Sequence, residues 1–299
     1  QIPRIEIYRG FIFANGGAKG VSLREYLGPM TRAIDNFVDR SPTGKIELSG
    51  GGFRQRYSGN WKLHMENAND LMHASIVHTS SVDSANKVAK GLGEEPENHA
   101  LQMFKGNGLP LEAMDKVEIH GLPGGHSFMG SFYKDGSITQ SADDDPVNIA
   151  YHRAMVEAYG QARANEILSW DTFNHLVYPN LILNPKHQQL RLLQPISVNQ
   201  TIVHSMCFRL KGAPEEMFQR SIRFLSALNS PASQITTDDI AMFNGIQTAL
   251  TFSNNQWIDI SRGLGHDLLK EDGHKVGKVG TSELPLRSQY AAWQYYMSQ

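Results

Sequence analysis

The succession of apolar patterns in this chain predicts an α+β fold, a mostly antiparallel sheet packed against a few long helices. Strand-length apolar runs fall at residues 5–14, 47–57, 117–133 and 171–209, while helical spacing marks 22–39, 147–168, 215–228 and 238–250. No internal repeat or low-complexity segment interrupts them.

Ile5 to Ala14 alternates apolar and polar residues and runs into Phe11-Ile-Phe13, a strand that Asn15-Gly-Gly17 ends through turn chemistry. Between 22 and 39, Leu23, Tyr26, Leu27, Met30, Ile34, Phe37 and Val38 share one broad helix face. Glu47 to Tyr57 reads as a strand pair broken by Gly50-Gly-Gly52, and a helix starts near Gly59 or Asn60. Residues 82–115 read as connecting segments and short helices, and Val117 to Tyr133 as two strands around Gly121-Leu-Pro-Gly-Gly125. Asp143-Asp-Asp-Pro146 opens the amphipathic helix 147–168, because acidic residues and proline suit the positive end of a helix. Three strand-like stretches follow: Thr172–Val177, Leu181–Leu183 with Leu190–Leu193, and Thr201–Phe208. Glu215 to Leu228 is helical, and so is Asp238 to Leu250, introduced by Thr236-Thr-Asp-Asp239 as a cap signature.

Composition narrows the function. The 299 residues carry a net charge of −2 and no long basic run, which argues against a nucleic-acid partner. A single cysteine, Cys207, excludes an internal disulfide framework and suits a reducing compartment; its apolar neighbours mark it as a small core side chain. No apolar run reaches the roughly 18 residues of a membrane span, and no signal peptide is recognisable. The expectation is a soluble, cytoplasmic protein that engages neither membrane nor nucleic acid.

The densest chemistry lies at residues 60–78, where Asp70, His73 and His78 fall within nine positions. Five helical steps turn a side chain by about 500°, so an unbroken helix would point His78 about 140° away from His73. For both to meet one ion, the helix must end, bend or bulge between them. Asp70 and His73, at i and i+3, share a face if the segment is helical, and a carboxylate that orients a ligating imidazole is common. Two imidazoles and one carboxylate, with open positions where dioxygen can bind, form the ligand set of non-heme Fe(II) oxygenases. Taken alone, the two histidines also read as hydrogen-bonded structural residues, or as part of a zinc hydrolase site with Glu66 as base.

The pattern Asn60-Trp-Lys62, Glu66-Asn67, then Asp70-x-x-His73-x-x-x-x-His78 resembles the mononuclear-iron motif of Rieske non-heme iron oxygenases. Further patches appear in that family's order. Tyr8-Arg-Gly-Phe-Ile-Phe13 resembles the strand after the Rieske domain. Tyr178-Pro-Asn-Leu-Ile-Leu183 and Gln189-Leu-Arg-Leu-Leu-Gln-Pro195 resemble the central sheet. Thr237 to Gln247 resembles the segment of the third iron ligand, and Thr281-Ser-Glu-Leu-Pro-Leu-Arg287 the C-terminal portion.

The resemblance implies a helix-grip (START-like) fold. It implies a terminal oxygenase component that activates O2 at a mononuclear Fe(II) and hydroxylates an aromatic compound, with cis-dihydroxylation leading and monooxygenation or demethylation open. Electrons would come from NADH through a partner reductase, with or without a ferredoxin, and then a [2Fe–2S] Rieske cluster. Such a cluster needs two cysteines and two histidines, which one cysteine cannot supply. The chain opens at Gln1 where the family's Rieske domain ends. The expectation is therefore a strand segment at 1–20 following an absent Rieske domain, and an iron-bearing catalytic domain at 21–299. The family's metal ligands map to His73, His78 and Asp239, with Asp238 as the alternative carboxylate one residue away. Asp70 maps to the residue that bridges an iron-ligating histidine to the neighbouring subunit's cluster, which implies a homotrimer or an α3β3 assembly. Asn67 maps close to the iron, and His175 to a pocket-lining position in some relatives. An acidic, benzoate-like substrate is one possibility, with Arg191 or Arg209 as anchor. The reading from another class is a metal-free module of the same fold that holds a hydrophobic ligand.

Overall fold

Arg9 and Gly10 both have positive φ (49° and 88°), the handedness a two-residue hairpin turn requires. The expected single strand therefore folds back as β1 (Arg4–Tyr8) and β2 (Phe11–Asn15), with Tyr8 opposite Phe11. The computed structural model describes residues 2–91, 110–114, 116–132, 145–254 and 257–299. The predicted helical stretch becomes α1 (Leu23–Leu27) and α2 (Met30–Asp39), parted at Gly28-Pro29, where proline lacks the N–H that would continue a helix. Its apolar face is buried as expected, and Arg9 pairs with Asp35 and Asp39 at 2.9 and 2.6 Å to latch the hairpin onto α2.

Residues 46–57 form one strand, β3 (Ile46–Tyr57), rather than two; the glycines are absorbed as a register shift between Leu48 and Gly52. Three helices follow: α3 (Trp61–Ala68), α4 (Leu71–Val77) and α5 (Thr79–Gly91). The expected connecting segment is thus helical as far as Gly91; most of its remainder lies outside the described residues, which resume with α6 (Leu111–Met114). The two strands expected around Gly121 are β4 (Ile119–Gly121) and β5 (Ser127–Phe132). Asp145 caps α7 (Pro146–Tyr159) by accepting the Val147 N–H at 2.9 Å; Asp143 and Asp144 lie outside the described residues. The expected helix 147–168 splits at Gly160, whose φ of 77° no helix accommodates, and resumes as α8 (Gln161–Leu168).

Four strands, β6 (Trp170–Val177), β7 (Leu181–Asn184), β8 (Gln189–Ser197) and β9 (Gln200–Leu210), replace the three expected stretches. Then come α9 (Glu215–Asn229), α10 (Gln234–Phe252), β10 (Leu268–Leu269), β11 (Lys275–Gly277) and α11 (Leu284–Met297). The last three elements have no counterpart in the sequence reading. Nine strands join in the order β10-β11-β4-β5-β6-β7-β8-β9-β3, and every neighbouring pair is antiparallel.

Alternation along each strand sorts the core into two layers. Leu181, Leu183, Val177 and Phe208 pack with α1 and α2. Ile182, Leu176, Leu193 and Val203 face the other way, onto Met65 and Ala68 of α3, Phe243 of α10 and Ala292 of α11. Each such side chain contributes about 1.5–3 kcal/mol when fully buried, which fixes α3 and α10 against one sheet face. The α+β, helix-grip class is the observed one. The site lies on the α3–α10 side.

Candidate metal centre

Asn60 caps α3: its Oδ1 accepts from the Lys62 N–H at 3.1 Å, while its own N–H donates to Gln247 Oε1 at 2.8 Å. The start of α3 is thereby clamped to α10. Asn69 and Asp70 break the helix, and α4 stops at His78, whose φ of −96° and ψ of 12° leave the helical region. This is the interruption that convergence of the two histidines demands. Their ring centroids lie 5.5 Å apart at 77°.

Asp239 arrives from the second turn of α10. Its Oδ1 is 3.3 Å from His78 Nε2 and 3.7 Å from His73 Nε2, and ligand atoms of the three residues all lie within 4.8 Å of one another. Donors about 2.1 Å from one ion and at right angles sit ~3 Å apart, so these spacings suit neighbouring positions around a single metal. Hydrogen-bond partners assign the tautomers. His73 Nδ1–H donates to the Asp70 carbonyl and His78 Nδ1–H to Asp238 Oδ2 at 3.4 Å, which leaves both Nε2 atoms facing Asp239. The donor set, two neutral imidazoles and a carboxylate, fits a divalent transition metal such as iron.

The electrostatics favour ligation at His73 and Asp239, whereas His78 must give up a proton to bind a metal. Burial holds His73 below the ordinary imidazole value, although Asp239 and Asp70 pull it upward. Burial likewise opposes charge on His78, but its bonds to Asp239 and Asp238 outweigh that and raise it. Burial pushes the Asp239 carboxyl up, yet the hydrogen bond to His78 and the pull of His73 hold it below the usual range. An ionised carboxylate beside a neutral His73 is the protonation state that ligation requires.

Around the triad, Asn67 Nδ2 donates to Asp239 Oδ1 at 3.0 Å, and the Ser81 hydroxyl donates to Asp238 Oδ2 at 3.2 Å. Ser81 had no signal in the sequence. Asp70 departs from the expectation: it precedes α4 rather than sharing a helix face with His73, and its carboxylate accepts the Met72 N–H at 2.9 Å. Its backbone carbonyl, not its side chain, orients His73. Glu66 accepts a hydrogen bond from the Tyr290 hydroxyl and takes no part in the cluster, so the structure gives a zinc-bound water no base there.

His175 is also placed differently. It pairs in register with Leu183, which joins the α1–α2 core on the opposite sheet face from α3 and α10. Fully buried, it hydrogen-bonds Thr172 Oγ1 at 2.7 Å and meets Phe128 edge-on. A one-residue backbone irregularity at Asn174, with φ of 48°, sets that register. By contrast His64, which no sequence motif singles out, is buried one turn before Asn67 on α3. The i, i+3 spacing to Asn67 was the signal available.

Fold and cluster together define a class: α+β domains with two imidazoles and a carboxylate gathered beside an antiparallel sheet. The chain belongs to the family of ring hydroxylating alpha subunits, of which it contains the catalytic domain; the family model matches residues 45–299. It is 31% identical over 268 residues to the anthranilate 1,2-dioxygenase large subunit of Acinetobacter baylyi, covering 87% of this chain and 54% of that protein. Over 270 residues it is 27% identical to the 2-halobenzoate 1,2-dioxygenase large subunit of Burkholderia cepacia, covering 89% and 54%. The chain thus spans about half the length of these relatives. Its fold is similar to that of naphthalene 1,2-dioxygenase with indole bound, with a TM-score of 0.75 at 22% identity, over 100% of this chain and 65% of that one.

Proposed function

We propose that this chain is the oxygenating domain of a Rieske-type aromatic-ring-hydroxylating dioxygenase, with His73, His78 and Asp239 as the ligands of a mononuclear Fe(II). The convergence of three ligand atoms from two distant helices within 4.8 Å carries this reading. When bound, the iron supplies the dioxygen chemistry by which an aromatic ring is hydroxylated, with cis-dihydroxylation as the leading outcome. The chain's own residues prepare that site. The Asp70 carbonyl and the Asp238 carboxylate hold the two Nδ1–H groups, so each imidazole presents its Nε2. Asn67 fixes the rotation of the Asp239 carboxylate through its amide N–H. Ser81 anchors Asp238 in turn.

On this reading residues 1–20 form the segment that follows a Rieske domain and 21–299 the iron domain. Electrons derive from NADH through a partner reductase, with or without a ferredoxin, and a [2Fe–2S] cluster outside this chain. Asp70, half-exposed beside His73, forms one half of a bridge to the cluster of a neighbouring subunit in a homotrimer or α3β3 assembly. The relatives named for anthranilate and 2-halobenzoate support an aromatic substrate. Among the described residues no helix is long and apolar enough to cross a membrane, and a cytoplasmic site of action matches the NADH dependence.

Metal analysis of anaerobically prepared protein tests the reading. About one iron per chain is expected in the wild type, lost in both His73→Ala and Asp239→Ala. Failure of the wild type to take up added Fe(II) would leave the fold as a metal-free ligand-binding module.

A further inference from the structure

Arg191 rises from the sheet face that supports the metal cluster. In register it stands opposite Ile182, whose side chain packs with α3 and α10. Protein encloses its guanidinium, and burial pushes it down to about 10 while Asp239 pulls it up, yet the residue keeps accessible surface. The arginine is thus enclosed on the cluster side of the sheet yet still reachable. Among the described residues Arg191 forms no ion pair; its one hydrogen-bond acceptor is Asn174 Oδ1, at 2.9 Å from Nη2. Asn174 is itself pinned by donating to the Ala68 carbonyl at 2.7 Å, at the end of the helix that carries Asn67. The arginine is therefore held in place by a neutral partner, with most of its five N–H donors unspent.

A second observation concerns the neighbouring His64. His64 is 6% exposed, and neither ring nitrogen has a hydrogen-bond partner. Its ring packs against Tyr57 and Phe243, with centroids 6.1 and 5.6 Å away, and it lies within electrostatic reach of Arg191, Asp239 and His73. A buried imidazole with no hydrogen-bond partner, and an enclosed cation whose nearest counter-charge, Asp239, is not in ion-pair contact, are each costly unless a ligand satisfies them. A carboxylate satisfies both, since it accepts the fork of an arginine and an imidazole N–H together. Arg209, the other arginine suggested by the sequence, is already spent: it pairs with Glu215 and stacks on Phe218 at 4.3 Å.

We propose that Arg191, with His64 beside it, binds the carboxylate of the substrate, so that the substrate class of this site is an aromatic carboxylic acid. This rests on the oxygenase reading of the same site.

Calorimetric titration of the Fe(II)-loaded chain with benzoate and with benzamide, its uncharged counterpart, tests the assignment. Benzoate should bind the wild type more tightly than benzamide. Arg191→Gln should weaken benzoate about 30-fold or more, as loss of a buried charge partner does, and leave benzamide nearly unchanged. Arg191→Lys should retain part of the preference. Iron content, measured on the same samples, should be equal in all three proteins. Benzoate binding Arg191→Gln as tightly as wild type would overturn the proposal, as would a wild type that prefers benzamide. Should Arg191→Gln fail to fold, as judged by circular dichroism, the wild-type preference and Arg191→Lys decide. Absence of iron would count against the oxygenase reading alone, because benzoate selectivity remains measurable without it.

Discussion

Asp238 and Asp239 are identical side chains on adjacent residues, and the 100° step of helix α10 divides their tasks. Asp239 faces both Nε2 atoms, whereas Asp238 reaches the far nitrogen of His78. Removing an acceptor that orients a ligand typically lowers metal affinity 10- to 100-fold. Asp238→Ala should therefore retain iron with affinity reduced about 10- to 100-fold, read by competition with an Fe(II) chelator, while Asp239→Ala retains none. Equal loss in the two variants would mean that the carboxylates share the metal. Asp70 calls for a different substitution. Because its side chain caps α4, Asp70→Ala removes about 1 kcal/mol of capping along with the charge. Asp70→Asn keeps a good cap and removes only the charge. In the assembled oxygenase it should keep its iron and lose substrate-coupled turnover; undiminished turnover would rule out the bridge.

Helix α10 begins a turn earlier than its sequence signature suggests. Ser233, not the Thr236-Thr-Asp-Asp239 run, is the cap: its Oγ accepts the N–H groups of Ile235 and Thr236 at 3.0 and 3.4 Å and donates to the Leu228 carbonyl at 2.7 Å. The extra turn frees both aspartates from capping and turns them toward α4 and α5. Ser233 is buried, so Ser233→Ala leaves orphan donors without water to replace it. A stability loss of about 1–2 kcal/mol is expected by urea denaturation, with a parallel loss of iron affinity because the cap sets the register of Asp239. A loss below about 0.5 kcal/mol would mean that packing, not the cap, positions this helix.

Across the whole molecule, buried neutral histidines tie layers together and make stability depend on pH. His126 Nε2–H donates to the Tyr26 carbonyl of α1 at 3.0 Å, and its Nδ1 accepts the Tyr178 N–H at 3.0 Å from the end of β6. Burial lowers it from 6.5 to about 4, and protonation of Nδ1 would break the second bond. A depressed folded value means that the unfolded chain binds the proton first. The stability His126 contributes is complete above pH 6.5 and is lost as pH falls toward 4, by roughly 3 kcal/mol in all. His120 and His175, depressed by burial to about 4 and about 3, add in the same direction. Differential scanning calorimetry between pH 7 and 4.5 should show the melting temperature falling throughout, with a shallower slope in His126→Asn. A flat profile would show that these histidines are protonated in the folded state.

Local chemistry was legible in the amino-acid order. The apolar period of residues 22–39, the cap at Asn60, the Asp-Pro start of α7 and the spacing of His73 and His78 depend on interactions within a turn or two, which neighbouring residues determine. The same locality explains what the sequence misplaced. Gly28-Pro29 and Gly160 divide helices whose periodicity reads as continuous, and Ser233 outdoes a nearby run with similar capping residues. The rest was decided by tertiary structure. Strand register turns His175 away from the cluster and Arg191 toward it, because a shift of one residue exchanges the two faces of a strand. The packing of α10 on α3 chooses Asp239 over Asp238 across more than half of the chain. Such choices are sums of many weak contacts between residues far apart in sequence, and no local pattern encodes their balance.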